Sequence, residues 1–406
     1  MHAPSTAVPS HRPTRPLKVD TPLLRRINER RVFDAVLVEG PLSRQAVGRA
    51  TGMAAPTITK AVDSLLERGM LEEYSDSSTA PRKAGRPVRL LRLAATRSTV
   101  LGIVIDATQC TVVAAGIDGR HRDAQTVRFT TPTTYRNLIA RLARVCRTII
   151  RTLDGEPLGI GVSVPGLVDS AVAKVIFSPN LHILDGQSPS SDLERHLGIP
   201  CRVIQESHAL CLGESMFGAA RGLADFAMLD VSTGLGLGVM SGGRLLTGST
   251  GLAGELGHLR IDPQGPRCGC GNRGCLETLA TDSALARRVS ERLGRQLDVD
   301  DVTAGMRSGQ IDASAELDAT LDHLAVAVGA VVNVFNPATL FVHGALLSAT
   351  DDAFGRLLDR LPGAVLKPAY AACTIVRARG SKRTGAVAGI VDHVTTLLFP
   401  RLEGRS

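Results

Sequence analysis

The sequence predicts a mainly α/β protein with a small helical module at its N-terminus, and three observations predict it. From about residue 100 onward, apolar strand-like runs alternate with amphipathic helical stretches, the pattern of an α/β architecture. Before residue 96, a short helix, a glycine-containing turn and a second helix succeed one another. The charge is split the same way. Residues 1–96 hold 16 lysines and arginines against nine acidic residues, while the rest of the 406-residue chain holds 31 against 30. A basic excess confined to one end points to an anionic partner for that end, nucleic acid foremost, although a solvated basic tail has the same composition.

The elements follow in order. Residues 1–20 are rich in Pro, Ser, Thr and Arg and lack the apolar core of a secretory signal, so a disordered basic tail and a cytoplasmic, nucleoid-associated protein are expected. No stretch reads as the roughly 18 uncharged apolar residues of a membrane span, and no membrane partner is expected. A first helix runs from about Pro22 to Val38, with Leu23, Leu24, Ile27, Phe33, Val36 and Leu37 on its apolar face. Ser43 is placed to cap a short helix ending near Ala50, and Gly52 is suited to the turn after it. A third helix follows from about Ala54 to Arg68, with Ile58, Val62, Leu65 and Leu66 inward.

In helix-turn-helix geometry the start of that third helix meets base edges. Ala55, Pro56, Thr57, Thr59 and Lys60 are small or polar there, and Arg44 and Gln45 open the preceding helix, where backbone phosphates would lie. Two strand-like stretches, at Leu71–Tyr74 and Val88–Leu93, flank a polar basic loop that reads as a wing. Its Gly85-Arg86-Pro87 suits entry into a narrow minor groove, and Arg82, Lys83, Arg89 and Arg92 would add phosphate contacts. The expected organisation is therefore a tail over 1–20, a winged helix-turn-helix over 21–95 that binds double-stranded DNA, and an effector region over 96–406.

In the effector region, Val100–Ile105, Thr111–Ala115, Leu158–Val164 and Phe226–Val231 read as strands, Asp118-Gly119 as a hairpin turn, and Leu138–Thr152 and Thr384–Leu398 as helices. Two similar lobes with a cleft between them account for this order. Five of the eight cysteines (Cys110, Cys146, Cys201, Cys211 and Cys373) lie in apolar stretches and read as core thiols. The others cluster. His258, Cys268, Cys270 and Cys275 offer one imidazole and three thiolates, a complete tetrahedral set for structural zinc across 258–275. Glu255 lies three residues before His258, and the knuckle would fold Glu277 back beside them, a grouping suited to sugar hydroxyls. Gly234, Gly236 and Gly238 follow a strand and could turn backbone N–H groups toward a phosphate, although glycines so spaced also mark plain hairpins.

Together these residues resemble the ROK family of repressors, uncharacterised reading frames and sugar kinases, and within it the winged-helix repressors. The resemblance spans about residues 21–400. It rests on Gly161-Val-Ser-Val-Pro-Gly-Leu-Val-Asp169, Gln205 to Glu214, Gly234 to Gly238, Glu255 to His258, and the cysteine knuckle with Glu277. It implies an actin-like, two-lobed fold, zinc on the knuckle, sugar contacts at Asn180, Glu206, Glu255, His258 and Glu277, and a homo-oligomer of two or four chains. The departures from the family's kinases matter as much. Their phosphate loop is Asp-x-Gly-x-Thr, whereas here Asp106 is followed by Thr108 at the glycine position. Their Asn-Asp pair, with Asp as general base, is Gln205-Glu206 here, and the extra methylene moves the carboxylate by about 1 Å, an error that costs on the order of 10²-fold in rate. No tryptophan follows Asn180-Leu181, and the chain contains none. The expectation is a sugar-responsive regulator, a repressor of carbohydrate genes, without catalytic residues. Its nucleotide loop, Asp106 with Gly234, Gly236 and Gly238, would be vestigial. The alternative is a sugar kinase with an added DNA-binding module.

Overall fold

A computed structural model of the protein describes residues 21–75 and 89–400. The N-terminal tail and the wing residues Arg82, Lys83, Gly85, Arg86 and Pro87 lie outside the described residues.

The first module comprises α1 (Thr21–Glu39), β1 (Leu42–Ser43), α2 (Arg44–Thr51), α3 (Ala55–Glu67), β2 (Leu71–Ser75) and β3 (Arg89–Leu93), the strands forming a small antiparallel sheet in the order β1-β3-β2. Its local signals behave as their chemistry dictates. The Ser43 hydroxyl accepts the Ala46 N–H at 3.2 Å, and Gly52 closes α2 at φ 67, a left-handed value that costs glycine little. Ile58, Ala61, Val62 and Leu65 are the buried face of α3.

Helix α1 departs from its expected face. Leu24 is 48% exposed, whereas Val32 is fully buried and so are the charged residues Glu29 and Arg30. The reason is that α1 is covered on two sides, by α3 and by the last helix of the chain, so its buried surface is wider than one apolar stripe.

The first lobe comprises β4 (Thr99–Val104), β5 (Gln109–Gly116), β6 (His121–Thr130), α4 (Tyr135–Ile150), β7 (Ile160–Val164), β8 (Leu167–Asp169), β9 (Lys174–Phe177), α5 (Pro189–Leu197), β10 (Cys201–Gln205) and α6 (Glu206–Phe217). The second comprises β11 (Phe226–Asp230), β12 (Gly236–Ser241), β13 (Arg244–Leu245), α7 (Asp282–Leu293), α8 (Val299–Arg307), α9 (Ser314–Phe335), β14 (Thr339–His343), α10 (Ala353–Leu358), α11 (Lys367–Ala372) and β15 (Thr374–Arg377), after which α12 (Lys382–Leu398) returns to the first lobe.

Both large sheets follow one plan. In the order β10-β7-β4-β5-β6, three parallel strands continue into two antiparallel ones, and β15-β14-β11-β12-β13 repeats the scheme. Helices α4 and α5 cover one face of the first sheet, and α7, α8 and α9 cover one face of the second. The inner helices α6 and α12 pack against each other, α12 on β4 and β7, and α6 on β11 and β12.

Glycine makes these inner contacts possible. A Cβ on Gly161 would lie 2.0 Å from the Ala386 carbonyl oxygen, and Cβ atoms on Gly236 and Gly238 would meet Ser207 and Cys211 of α6 at 2.8 and 2.7 Å. Gly236 and Gly238 therefore sit in strand β12, opposite Asp230 and Met228, rather than in the expected turn. Only Gly234 precedes the strand.

Among the described residues one helix, α9, is long and apolar enough to cross a membrane, although it carries Glu316, Asp318 and Asp322. Here its apolar residues are the centre of the second lobe's core. Of the five scattered cysteines, four are buried and Cys201 is half-buried.

The core of the N-terminal module does not end at the module. Val32, Phe33, Val36, Leu65 and Leu91 belong to one apolar cluster with Val100, Val113, Val387, Ile390, Val391 and Phe399 of the first lobe and α12. Arg30 pins the same junction, donating to Asp34 at 2.9 Å and to the Thr395 hydroxyl at 3.1 Å, with Asp392 at 3.9 Å.

Candidate functional site

The parallel strands of both lobes aim their C-terminal ends at a common cleft, the usual place for a ligand in an open α/β sheet. Asp106 follows β4, Pro165 and Gly166 follow β7, Gln205 ends β10 with Glu206 next to it, and Asp230 ends β11. These residues line the cleft together with Asn180, Thr233, Gly234, Glu255, His258 and Glu277. All five residues expected to contact sugar are therefore gathered in one place, although Asn180 and Glu277 are far apart in sequence.

Each carboxylate is held by a named neighbour. Glu255 Oε1 accepts from Gln205 Nε2 at 2.7 Å, and Glu255 Oε2 lies 3.6 Å from His258 Nε2. Glu277 Oε2 accepts the Leu235 N–H at 3.3 Å. Asp230 pairs with His343 at 2.9 Å across the β11–β14 register. Burial works against ionisation of Asp230, but the His343 hydrogen bond and the nearby Lys382 ammonium outweigh it and hold the carboxyl below its usual range. Burial pushes Glu255 upward. It also pushes Glu206 up to about 7, despite the opposing Lys382 charge and with help from Asp230 and Asp106.

The sequence reading did not single out Lys382, Asp230 or His343. Lys382 Nζ lies 2.6 Å from Glu206 and 3.1 Å from Asp106. A lysine before an apolar helix carries no local signal of such a role.

Beside the cleft, a short 3-10 turn over Leu256–His258 sets Glu255 and His258 on one side, and narrow bridges at Arg260–Cys275 and Arg267–Arg273 fold the knuckle. The ligand atoms of His258, Cys268, Cys270 and Cys275 all lie within 4.8 Å of one another, so this cluster could hold a metal ion. Cys270 and Cys275 sulfurs are 3.7 Å apart, and Cys268 Sγ is 3.6 Å from His258 Nδ1. A tetrahedral ion with metal–sulfur bonds of about 2.3 Å and metal–nitrogen bonds of about 2.0 Å spaces its ligands by roughly 3.5–3.8 Å. With Nδ1 facing the thiols, Nε2 is left for Glu255, the common arrangement in which a carboxylate orients a metal-bound imidazole.

On the helix-turn-helix, Gln45, Ala55, Pro56, Thr59 and Lys60 are exposed, and Thr57 is half-buried. Arg44 is engaged differently from the expectation, because its guanidinium bridges Asp63 and Glu73, each at 2.9 Å. Arg89 likewise pairs with Glu73, and Arg92 pairs with Glu72 while lying over the Tyr74 ring.

The ROK family matches residues 100–396. The chain belongs to the ROK family. Its relatives differ in how much of it they cover. The N-acetylglucosamine repressor of Escherichia coli O157:H7 is 28% identical over 386 residues, spanning 91% of this chain and 90% of the repressor. The glucokinase of Thermotoga maritima is 32% identical over 235 residues, but spans 54% of this chain and 74% of the kinase. Among solved structures, a ROK family transcriptional regulator homologous to the E. coli Mlc protein superposes with a TM-score of 0.77 at 24% identity, over 93% of this chain and 98% of the other. The likeness to the repressor and to the regulator's fold thus covers more of the chain than the glucokinase does.

Proposed function

We propose that this ROK protein is a sugar-responsive DNA-binding transcriptional regulator, a repressor of carbohydrate genes, whose cleft binds the effector and whose helix-turn-helix binds the operator. One observation carries the reading: α1 of the N-terminal module shares a continuous core with α12, the helix whose first residue pairs with the cleft residues Glu206 and Asp106. A sugar that binds two arrangements of the lobes with different affinity shifts the equilibrium between them, and α12 connects that shift to the DNA-binding face. The exposed start of α3 supports contact with base edges, and two-fold pairing of chains would call for a pseudo-palindromic operator.

In this reading Asn180, Glu206, Glu255, His258 and Glu277 hold the sugar hydroxyls. The spacing of His258, Cys268, Cys270 and Cys275 fits zinc, which would keep the knuckle folded beside Glu255 and leave no open coordination position for catalysis. Phosphoryl transfer is disfavoured because Thr108 replaces the loop glycine and Lys382 occupies Asp106 and Glu206 together. The 54% coverage by the glucokinase, which leaves out much of the chain, supports the same preference.

The test is fluorescence anisotropy of the full chain on a duplex from its own upstream region, at fixed salt, with and without xylose, glucose or N-acetylglucosamine. Salt is fixed because six to ten phosphate contacts would change affinity by about 10³–10⁵-fold between 50 and 200 mM. Tight binding altered by one sugar is expected. Glu255→Ala should bind the duplex as before and no longer respond to the sugar. Turnover of ATP on sugar addition, without specific DNA binding, would overturn the regulator in favour of the kinase.

A further inference from the structure

We propose that Lys382 is a positioning residue of the cleft, a built-in cation that holds the Glu206 carboxylate in place as a hydrogen-bond acceptor for a sugar hydroxyl. The ligand class rests on the sugar reading above.

The placement of Lys382 is costly in two ways. Its side chain is only 17% exposed, and it is the first residue of α12, at the positive end of the helix dipole where a cation is disfavoured. What offsets both costs is the acidic surround. Glu206 lies 2.6 Å away at the start of α6, Asp106 lies 3.1 Å away after β4, and Asp230, itself paired with His343, faces the group from β11. These carboxylates raise the affinity of Lys382 for its proton, so it remains an ammonium. No surface ion pair would be built this way.

The geometry is fixed by packing rather than by flexible side chains. Helices α6 and α12 touch through Gly213 and Gly385, where a Cβ on Gly213 would lie 3.2 Å from Gly385 Cα. The first residues of the two helices, Glu206 and Lys382, meet at 2.6 Å. The ammonium holds one carboxylate oxygen of Glu206, and Glu206 also lines the cleft. Without Lys382, burial together with Asp230 and Asp106 would favour the protonated carboxyl, which has lost acceptor capacity. The sign is that of a raised acid: Glu206 is ionised above about pH 7 and neutral below it.

The experiment uses the full chain, with Lys382→Met and Lys382→Arg compared with the wild type. Calorimetric titration of xylose, glucose and N-acetylglucosamine across pH 5.5–9 reads the binding profile. In the wild type, affinity should rise with pH through about 7. In K382M the rise should move up by a unit or more, with affinity at pH 7 lowered about fivefold or more. K382R should restore the wild-type profile. Independently of any sugar, ¹³C-carboxyl glutamate spectra, assigned with Glu206→Gln, read the titration of Glu206 itself. A Glu206 signal that titrates identically in wild type and K382M overturns the role of Lys382, whatever binds. Absence of binding by all three sugars, with the Glu206 titration shifted as expected, would instead count against the sugar reading alone. If K382M does not fold, Lys382→Gln supplies the same comparison.

Discussion

Replacing Arg30 with methionine tests whether the N-terminal helices are fastened to the first lobe through α12. Arg30 is 2% exposed and donates to Asp34 at 2.9 Å and Thr395 at 3.1 Å, with Asp392 at 3.9 Å. Hydrogen bonds to charged groups contribute about 1.5–3 kcal/mol, and breaking a fully buried ion pair costs about 3–5 kcal/mol. The upper range does not apply here, because the side chains of Asp34 and Asp392 keep 38% and 28% of their exposure and remain solvated. Methionine also preserves much of the packing of the arginine stem. The expected loss is therefore about 2 kcal/mol, concentrated at the junction between α1 and α12. Hydrogen exchange of the full chain reads it locally: amides of α1 that exchange through opening of this junction should exchange about 30-fold faster, while those of α9 keep their protection. The same variant should bind operator with a weakened sugar response. Exchange in α1 within twofold of the wild type would refute the idea that this polar pin holds the module to the lobe.

Two further outcomes are expected. Cys270→Ser should lose bound zinc, measured by elemental mass spectrometry, and should melt at a lower temperature, because metal-binding free energy is folding free energy in such a knuckle; full metal content in the variant would remove Cys270 from the ligand set. Lys60→Ala, on the exposed face of α3, should weaken binding to every duplex and lower the salt slope by about one if Lys60 meets phosphate; an unchanged slope with relaxed sequence preference would place it on a base instead.

Several features were legible in the sequence because their causes are local. The Ser43 cap and the left-handed Gly52 depend on a few consecutive residues, and they delimit the helix-turn-helix within a residue or two. The cysteine knuckle was legible for the same reason: Cys268, Cys270 and Cys275 are close enough along the chain that their spacing alone restricts the geometry. Fully buried strands such as Thr99–Val104 announce themselves as unbroken apolar runs. Glycine gave a mixed signal. Gly236 and Gly238 read as a turn, yet their absent side chains serve the approach of α6 to β12, a contact that no local pattern encodes.

Side chains distant in sequence became legible only in three dimensions. Lys382 and Asp106 are 276 positions apart, and Arg30 and Thr395 are 365 apart. Sequence by itself determined the elements whose causes are local, among them α2, α3, β4, β7 and the knuckle spacing, since capping, hydrophobic periodicity and ligand spacing act over a turn or two of chain. Tertiary structure alone decided that α12 runs from the cleft to the N-terminal module, that α1 is buried on two sides, and that a lysine stands among three carboxylates. Those outcomes depend on how α6 and α12 pack between the two sheets, and burial is what gives the charges they bring together their strength.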